Sequence, residues 1–119
     1  MAVRKHQELQ AWQEAMRLAE NVYALTANFP DVERFGLIGQ MRRAAVSVPS
    51  NIAEGAARGG NKEFIHFLHI ARGSLSELDT QLLLAKRLGF SGDFAATEST
   101  MDSAFKYLGG LINALGKRQ

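Results

Sequence analysis

Apolar residues recur along this chain at steps of three and four, and no run alternates apolar with polar as a half-buried strand would, so the pattern predicts helices throughout. In the first segment Leu9, Trp12, Met16, Ala19, Tyr23, Thr26 and Phe29 form the stripe read as the core face, leaving Glu8, Glu14, Arg17 and Glu20 for water. Pro30 ends that segment, because the residue before a proline is pushed out of helical geometry. Asp31 is the expected cap of the next helix, with Glu33 as a dipole-favoured acid in its first turn. Its apolar stripe is Ile38, Met41, Ala45, Val48, Ile52 and Ala56. Pro49 lies inside this run; it deletes the backbone bond to Ala45 and predicts a kink over 45–48 rather than a stop.

Gly59 and Gly60 close the second helix and Asn61 is the expected cap of the third. There Phe64, Leu68, Ala71, Leu75, Leu78, Leu82 and Ala85 form the longest regular stripe, with Gly89 as a left-handed terminator. The last segment opens at Ser91 or Asp93, carries Phe94, Met101, Phe105, Leu108, Ile112 and Leu115, and ends at Gly116. The expected helices are about 8–29, 32–58, 62–88 and 93–115, in one domain spanning 1–119. Short connections between them imply an all-α, antiparallel up-down-up-down four-helix bundle, its second helix kinked at Pro49.

Apolar surface exceeds what one bundle seam requires. The third helix adds Ile65, Phe67, Ile70, Leu83 and Leu84 to its stripe, and the second adds Phe35, Leu37 and Val46. A stripe wider than about 100° is either flanked by neighbours on both sides or meets another subunit. The second reading predicts a homo-oligomer.

Composition narrows the class. With 119 residues and no cysteine there is no disulfide framework, no thiolate-held metal and no thiol nucleophile, and a reducing cytoplasm is the expected compartment. The polar start of the chain is read as carrying no signal peptide, and no apolar run approaches the roughly 18 residues of a membrane helix. Fourteen Lys and Arg against twelve Asp and Glu give a formal charge of +2, with a pI near 9.2. That excess is small for a dedicated nucleic-acid binder.

Its placement is uneven. Antiparallel topology gathers Arg4, Lys5, Arg58, Lys62, Lys117 and Arg118 at one end, against Glu8, Glu54 and Glu63, whereas Arg34, Lys86 and Arg87 at the other end are matched by Asp31, Glu33 and Asp93. Backbone amides at the 59–61 turn, next to Arg58 and Lys62, make a phosphate seat, and an oligomer would multiply it into a basic ring. The competing reading of this turn is a well-capped loop with solvated charges.

A polar stripe on the second helix runs through Gln40, Arg43, Ser47, Ser50, Asn51, Glu54 and Arg58, and Ser74, Glu77 and Gln81 offer a facing stripe on the third. Short hydrogen-bonding residues at this spacing predict an inter-helix network that fixes register, with ligand or nucleic-acid contact and plain exposure as alternatives.

Conventional catalytic and metal patterns are incomplete. Glu63 and His66 form one Glu-x-x-His pair, but a di-metal bundle needs a second pair and further carboxylates; His66 and His69 lack a third ligand for zinc. The glycine-containing tail before Lys117 has neither P-loop spacing nor the Ser or Thr that should follow the lysine. No metal, no cofactor and no enzymatic activity are expected.

Three long stretches carry a family resemblance: FPDVERFGL at 29–37, QMRRAAVSVPSNIAEG at 40–55, and EF at 63–64 continuing as FLxIAxGSLxELxTQ at 67–81, with Trp12 before them. Together they resemble the bacterial four-helix-bundle proteins encoded in intervening sequences of 23S ribosomal RNA genes, a family similar to the accessory proteins of diversity-generating retroelements. The resemblance spans about residues 9–90 and implies a four-helix protomer in a ring-like homopentamer that binds RNA or DNA. Two functions follow as expectations: nucleic-acid binding at the basic end of an assembly, or a protein-interaction scaffold with no nucleic acid.

Overall fold

The computed structural model describes residues 4–117, so Arg118 lies outside the described residues. Its α-helices are α1 (Gln10–Thr26), α2 (Leu37–Ala56), α3 (Asn61–Arg87) and α4 (Phe94–Gly116), with one-turn 3-10 helices at Lys5–Glu8 and Asp31–Glu33. At about 1.5 Å per residue, the 27 residues of α3 run nearly the full 45 Å length of the molecule. Each helix packs on two others: α1 on α2 and α4, and α3 on α2 and α4, with no close backbone approach across either diagonal among the described residues.

Cross-helix pairs give the directions. On α1 and α4, Asn21 donates to the Thr100 hydroxyl, and Leu25, near the end of α1, lies against Gly92, just before α4 begins. Arg42 of α2 donates to Thr26 Oγ1 at 2.9 Å, whereas Ala53 reaches Trp12 across a shared groove. Ser47 meets Ser74 at 2.8 Å while Gly55 abuts Phe64 and Phe67, and Lys86 pairs with Glu98 at 3.2 Å. Between α1 and α4, α1 and α2, and α2 and α3 one index rises as the other falls, so α1 runs against α2 and α4, and α3 against α2.

Ends of helices depart from expectation where capping chemistry differs. Residues 31–33 coil into a separate 3-10 turn, and α2 begins only at Leu37. The Glu33 carboxylate, not that of Asp31, accepts the Leu37 amide at 3.1 Å. Asn61 is the first residue inside α3; Gly60 occupies the cap position and no side chain caps it. Asp93 does cap α4, accepting from the Ala96 amide at 3.0 Å. At the end of α3, Gly89 at φ +79° allows its own amide to reach Lys86 O and that of Phe90 to reach Ala85 O, the paired bonds of a Schellman motif. The α2 helix continues through Pro49.

The core largely follows the expected stripes on α2, α3 and α4, but α1 is rotated from the face read in the sequence. Its buried side is Ala11, Ala15, Leu18, Val22 and Leu25, together with Ala19 and Thr26. Trp12 is only half-buried, and Met16 and Tyr23 are exposed. The α1 sequence carries two apolar stripes, and close packing selects the one with alanines, which lets neighbouring helices approach. Glu14, expected in water, is 7% exposed, with Arg17 Nη1 at 2.7 Å from both carboxylate oxygens. Phe29 ties the two connections at one end, its ring 5.0 Å from Phe90 and 6.1 Å from Phe94.

At Gly55, α2 and α3 leave no room for a side chain: a Cβ there would lie 2.7 Å from Phe67 Cβ and 3.2 Å from the Phe64 carbonyl oxygen. Replacing Gly55 with Ala gains about 0.5–1 kcal/mol of helix propensity but forces the helices apart, an overpacking cost of about 1–3 kcal/mol. The second term wins. We expect Gly55→Ala to melt several degrees below the wild type in a thermal scan, whereas Gly73→Ala, where nothing lies within 4 Å of the added carbon, melts at or above it.

Candidate nucleic-acid-binding end and polar groove

Antiparallel packing brings the N-terminal 3-10 helix to the α2–α3 turn. Lys5 and Leu9 come from one side and Gly59, Gly60, Asn61 and Phe64 from the other, around a cavity of about 210 Å³. Gly59 turns the chain at φ +28°, and glycine adopts that value without the strain a side chain would bring. Because the α3 cap is a glycine, no side chain competes for the first amides of the helix.

The basic residues assigned to this end divide into three groups. Lys5 lines the cavity, and Lys62 is exposed one residue into α3. Arg58 is already engaged, with Nε 3.5 Å from Glu54 and its guanidinium carbon 4.9 Å from the Phe67 ring centroid. Arg4 and Lys117 are exposed but are not among the cavity's lining residues. Glu8 and Glu63, the nearby acids, are exposed and form no ion pair among the described residues.

The polar stripes meet in part. Ser47 and Ser74 share a hydrogen bond of 2.8 Å across the α2–α3 seam, and Asn51 Nδ2 donates to Ser47 Oγ at 2.9 Å and to Ser47 O at 2.8 Å. Further along, Gln40, Arg43 and Glu77 stand apart from that bond and join Ser47 and Ser74 around an open groove of about 550 Å³. Glu54 turns to Arg58 instead of α3, and Ser50 faces α1. Gln81 is 8% exposed, and its Oε1 has no hydrogen-bond partner among the described residues.

The Glu-x-x-His pair does not converge. His66 lies edge-on to Phe67 at 5.5 Å, and His69 Nδ1 is 3.0 Å from Arg72 Nη2. Among the described residues no group of three or more His, Asp or Glu side chains is placed to hold a metal ion.

Two features of this surface escape pattern reading. Arg42 fastens α2 to the end of α1 through Thr26 Oγ1, the Tyr23 carbonyl at 3.3 Å and the Tyr23 ring at 4.5 Å. The flank of α1 beside its buried side and the adjoining face of α2 form an apolar groove of about 360 Å³, lined by Trp12, Met16, Ala19, Val46, Pro49 and Ala53. Its α1 residues carried a sequence signal, but at the same spacing as a core stripe.

A buried acceptor without a partner costs about 1–3 kcal/mol relative to an apolar group of the same shape. Gln81→Leu is therefore expected to raise the melting temperature by a few degrees. A fall in a calorimetric scan would show that this amide has a partner in solution.

A model of the 23S rRNA-intervening sequence proteins matches residues 7–110, which includes α1, α2, α3 and the greater part of α4. No curated protein matches the chain. Four helices with the α2–α3 seam inside the matched region agree with that match, and the chain belongs to the 23S rRNA-intervening sequence protein family.

Proposed function

We propose that the protein is a non-enzymatic homo-oligomer, a ring-like homopentamer, whose basic end binds RNA or DNA through its phosphates. The observation that carries the nucleic-acid half is the uncapped start of α3 beside the cavity that Lys5 lines. A phosphate placed there meets backbone amides at the positive end of a helix dipole and an ammonium from a separate element, with Lys62 close in sequence. None of this requires a large net charge. A ring repeats the site in each protomer, and counterion release from a polyanion scales with the number of contacts made together.

The oligomer half rests on apolar side chains left in water by the folded protomer. Phe35, Val32, Leu83, Leu84, Leu88 and Ile70 are all exposed, more than scattered surface hydrophobics explain. The pentameric count follows from the family resemblance. No helix among the described residues is long and apolar enough to cross a membrane, and the absence of cysteine fits a cytoplasmic protein.

A protein-interaction scaffold is the second reading. The open groove with Arg43 and Glu77 on its walls favours it, since opposite charges on facing helices suit a peptide better than a polyanion.

Phosphate contact makes affinity fall steeply with salt, by roughly 10³-fold or more between about 50 and about 200 mM when six or more phosphates are engaged. Filter binding with RNA and with DNA at those two concentrations measures it. Lys5→Glu with Lys62→Glu is expected to abolish retention and flatten the salt slope, with the solution mass unchanged. Arg58 is left alone because its guanidinium packs on Phe67, so that reversing its charge would disturb the fold as well. Salt-insensitive binding, or none, leaves the scaffold reading.

A further inference from the structure

The most exposed large apolar side chains are Phe35 at 93% and Val32 at 88%, both in the connection between α1 and α2. This connection is firmly built. Glu33 N bonds to Pro30 O at 2.9 Å, Arg34 N to Asp31 O at 3.0 Å and Gly36 N to Glu33 O at 3.0 Å. The Glu33 side chain holds the first amide of α2, and Phe29, just upstream, is buried against Phe90 and Phe94. Folding thus orders a short loop and uses it to hold two apolar groups in water, an arrangement that a monomer does not need.

The apolar groove between α1 and α2 is the complementary feature. Ser50 is the one polar residue among its lining residues, and nothing among the described residues of its own chain fills it. The loop of the same protomer does not reach it. Val46 and Pro49 lie nine and twelve residues beyond Leu37, about 14–18 Å along α2 at the ordinary helical rise. Charge agrees with the fit. Arg34 lies between Val32 and Phe35 in the chain, its guanidinium carbon 5.9 Å from the Phe35 ring centroid, and Glu20 is exposed one helical turn after the groove residue Met16; neither forms an ion pair among the described residues.

Resting on the homo-oligomer reading above, we propose that Phe35, with Val32, of one copy docks into the groove around Met16 and Val46 of a second copy, Arg34 pairing with Glu20. The two surfaces are different patches of one chain, so the contact is heterologous. Such contacts propagate head to tail and close into a ring when the rotation per subunit divides a full turn. The loop also explains why α1 presents a second apolar stripe: its inner face serves the bundle and its outer face serves the neighbouring copy.

Because the chain has no cysteine, the contact can be tested by site-directed cross-linking. Phe35→Cys and Val46→Cys chains, co-expressed and treated with a short bismaleimide, are expected to give a covalent dimer joining the two positions, identified by mass spectrometry of the linked peptide. Phe35→Glu is expected to shift light-scattering mass from the assembly to the 13.1 kDa protomer, with the helical circular dichroism signal retained. An assembled wild type whose Phe35→Glu variant keeps its mass, or cross-links that join only two copies of the Phe35→Cys chain, overturns the docking while the homo-oligomer stands. A wild type that is a monomer at tens of micromolar overturns both.

Discussion

Everything in this bundle depends on how closely α2 and α3 approach. The missing side chain at Gly55 lets the Phe64 and Phe67 turn of α3 lie directly on α2, and the Ser47–Ser74 hydrogen bond fixes the register eight residues away. Small residues at a seam have two effects: they shorten the interhelical distance, and they leave no bulky group free to slide the register. With α2 and α3 locked, the 59–61 turn is short, and the cavity beside Lys5 forms where the N-terminal turn crosses it. The proposed phosphate site is in this sense a by-product of the helix packing.

Much of the fold was legible because four helical stripes, two prolines and a few glycines are strong local signals. The α3 stripe from Phe64 to Ala85 and its Gly89 terminator stand where spacing put them. Legibility failed in α1. Trp12, Met16 and Tyr23 are larger than the alanines at 11 and 15, so counting hydrophobicity selects them, whereas helix–helix packing prefers the small face. Glu14 misled for a related reason: a carboxylate reads as solvent-facing unless its partner Arg17 is seen to fold over it. Caps were the other weak point, since Asp31, Glu33, Gly60 and Asn61 are all acceptable near a helix start and only the path of the chain decides among them.

The candidate site was legible as a list of charges and not as a geometry. Sequence spacing puts Arg58 and Lys62 on either side of a glycine turn, but it does not show that Arg58 is spent on Glu54 and Phe67 or that Lys5 arrives from another element. The polar stripe likewise separates into a bonded part at Ser47, Asn51 and Ser74 and an open part at Gln40, Arg43 and Glu77. A periodic stripe specifies a face; which members of it meet depends on the crossing of two helices.

Gly60 at the start of α3 has a consequence for local stability. As a cap, glycine is only a few tenths of a kcal/mol poorer than serine or asparagine, so leaving the amides uncapped costs the protomer little. It does leave the first turn of α3 held by few bonds, and such helix ends open at a small fraction of the global unfolding free energy. A polyanion seated there would supply the missing acceptors and slow that opening. The same few amides would then report occupancy through their hydrogen exchange, while the buried middle of α3, from Leu68 to Leu82, exchanged only with the fold as a whole.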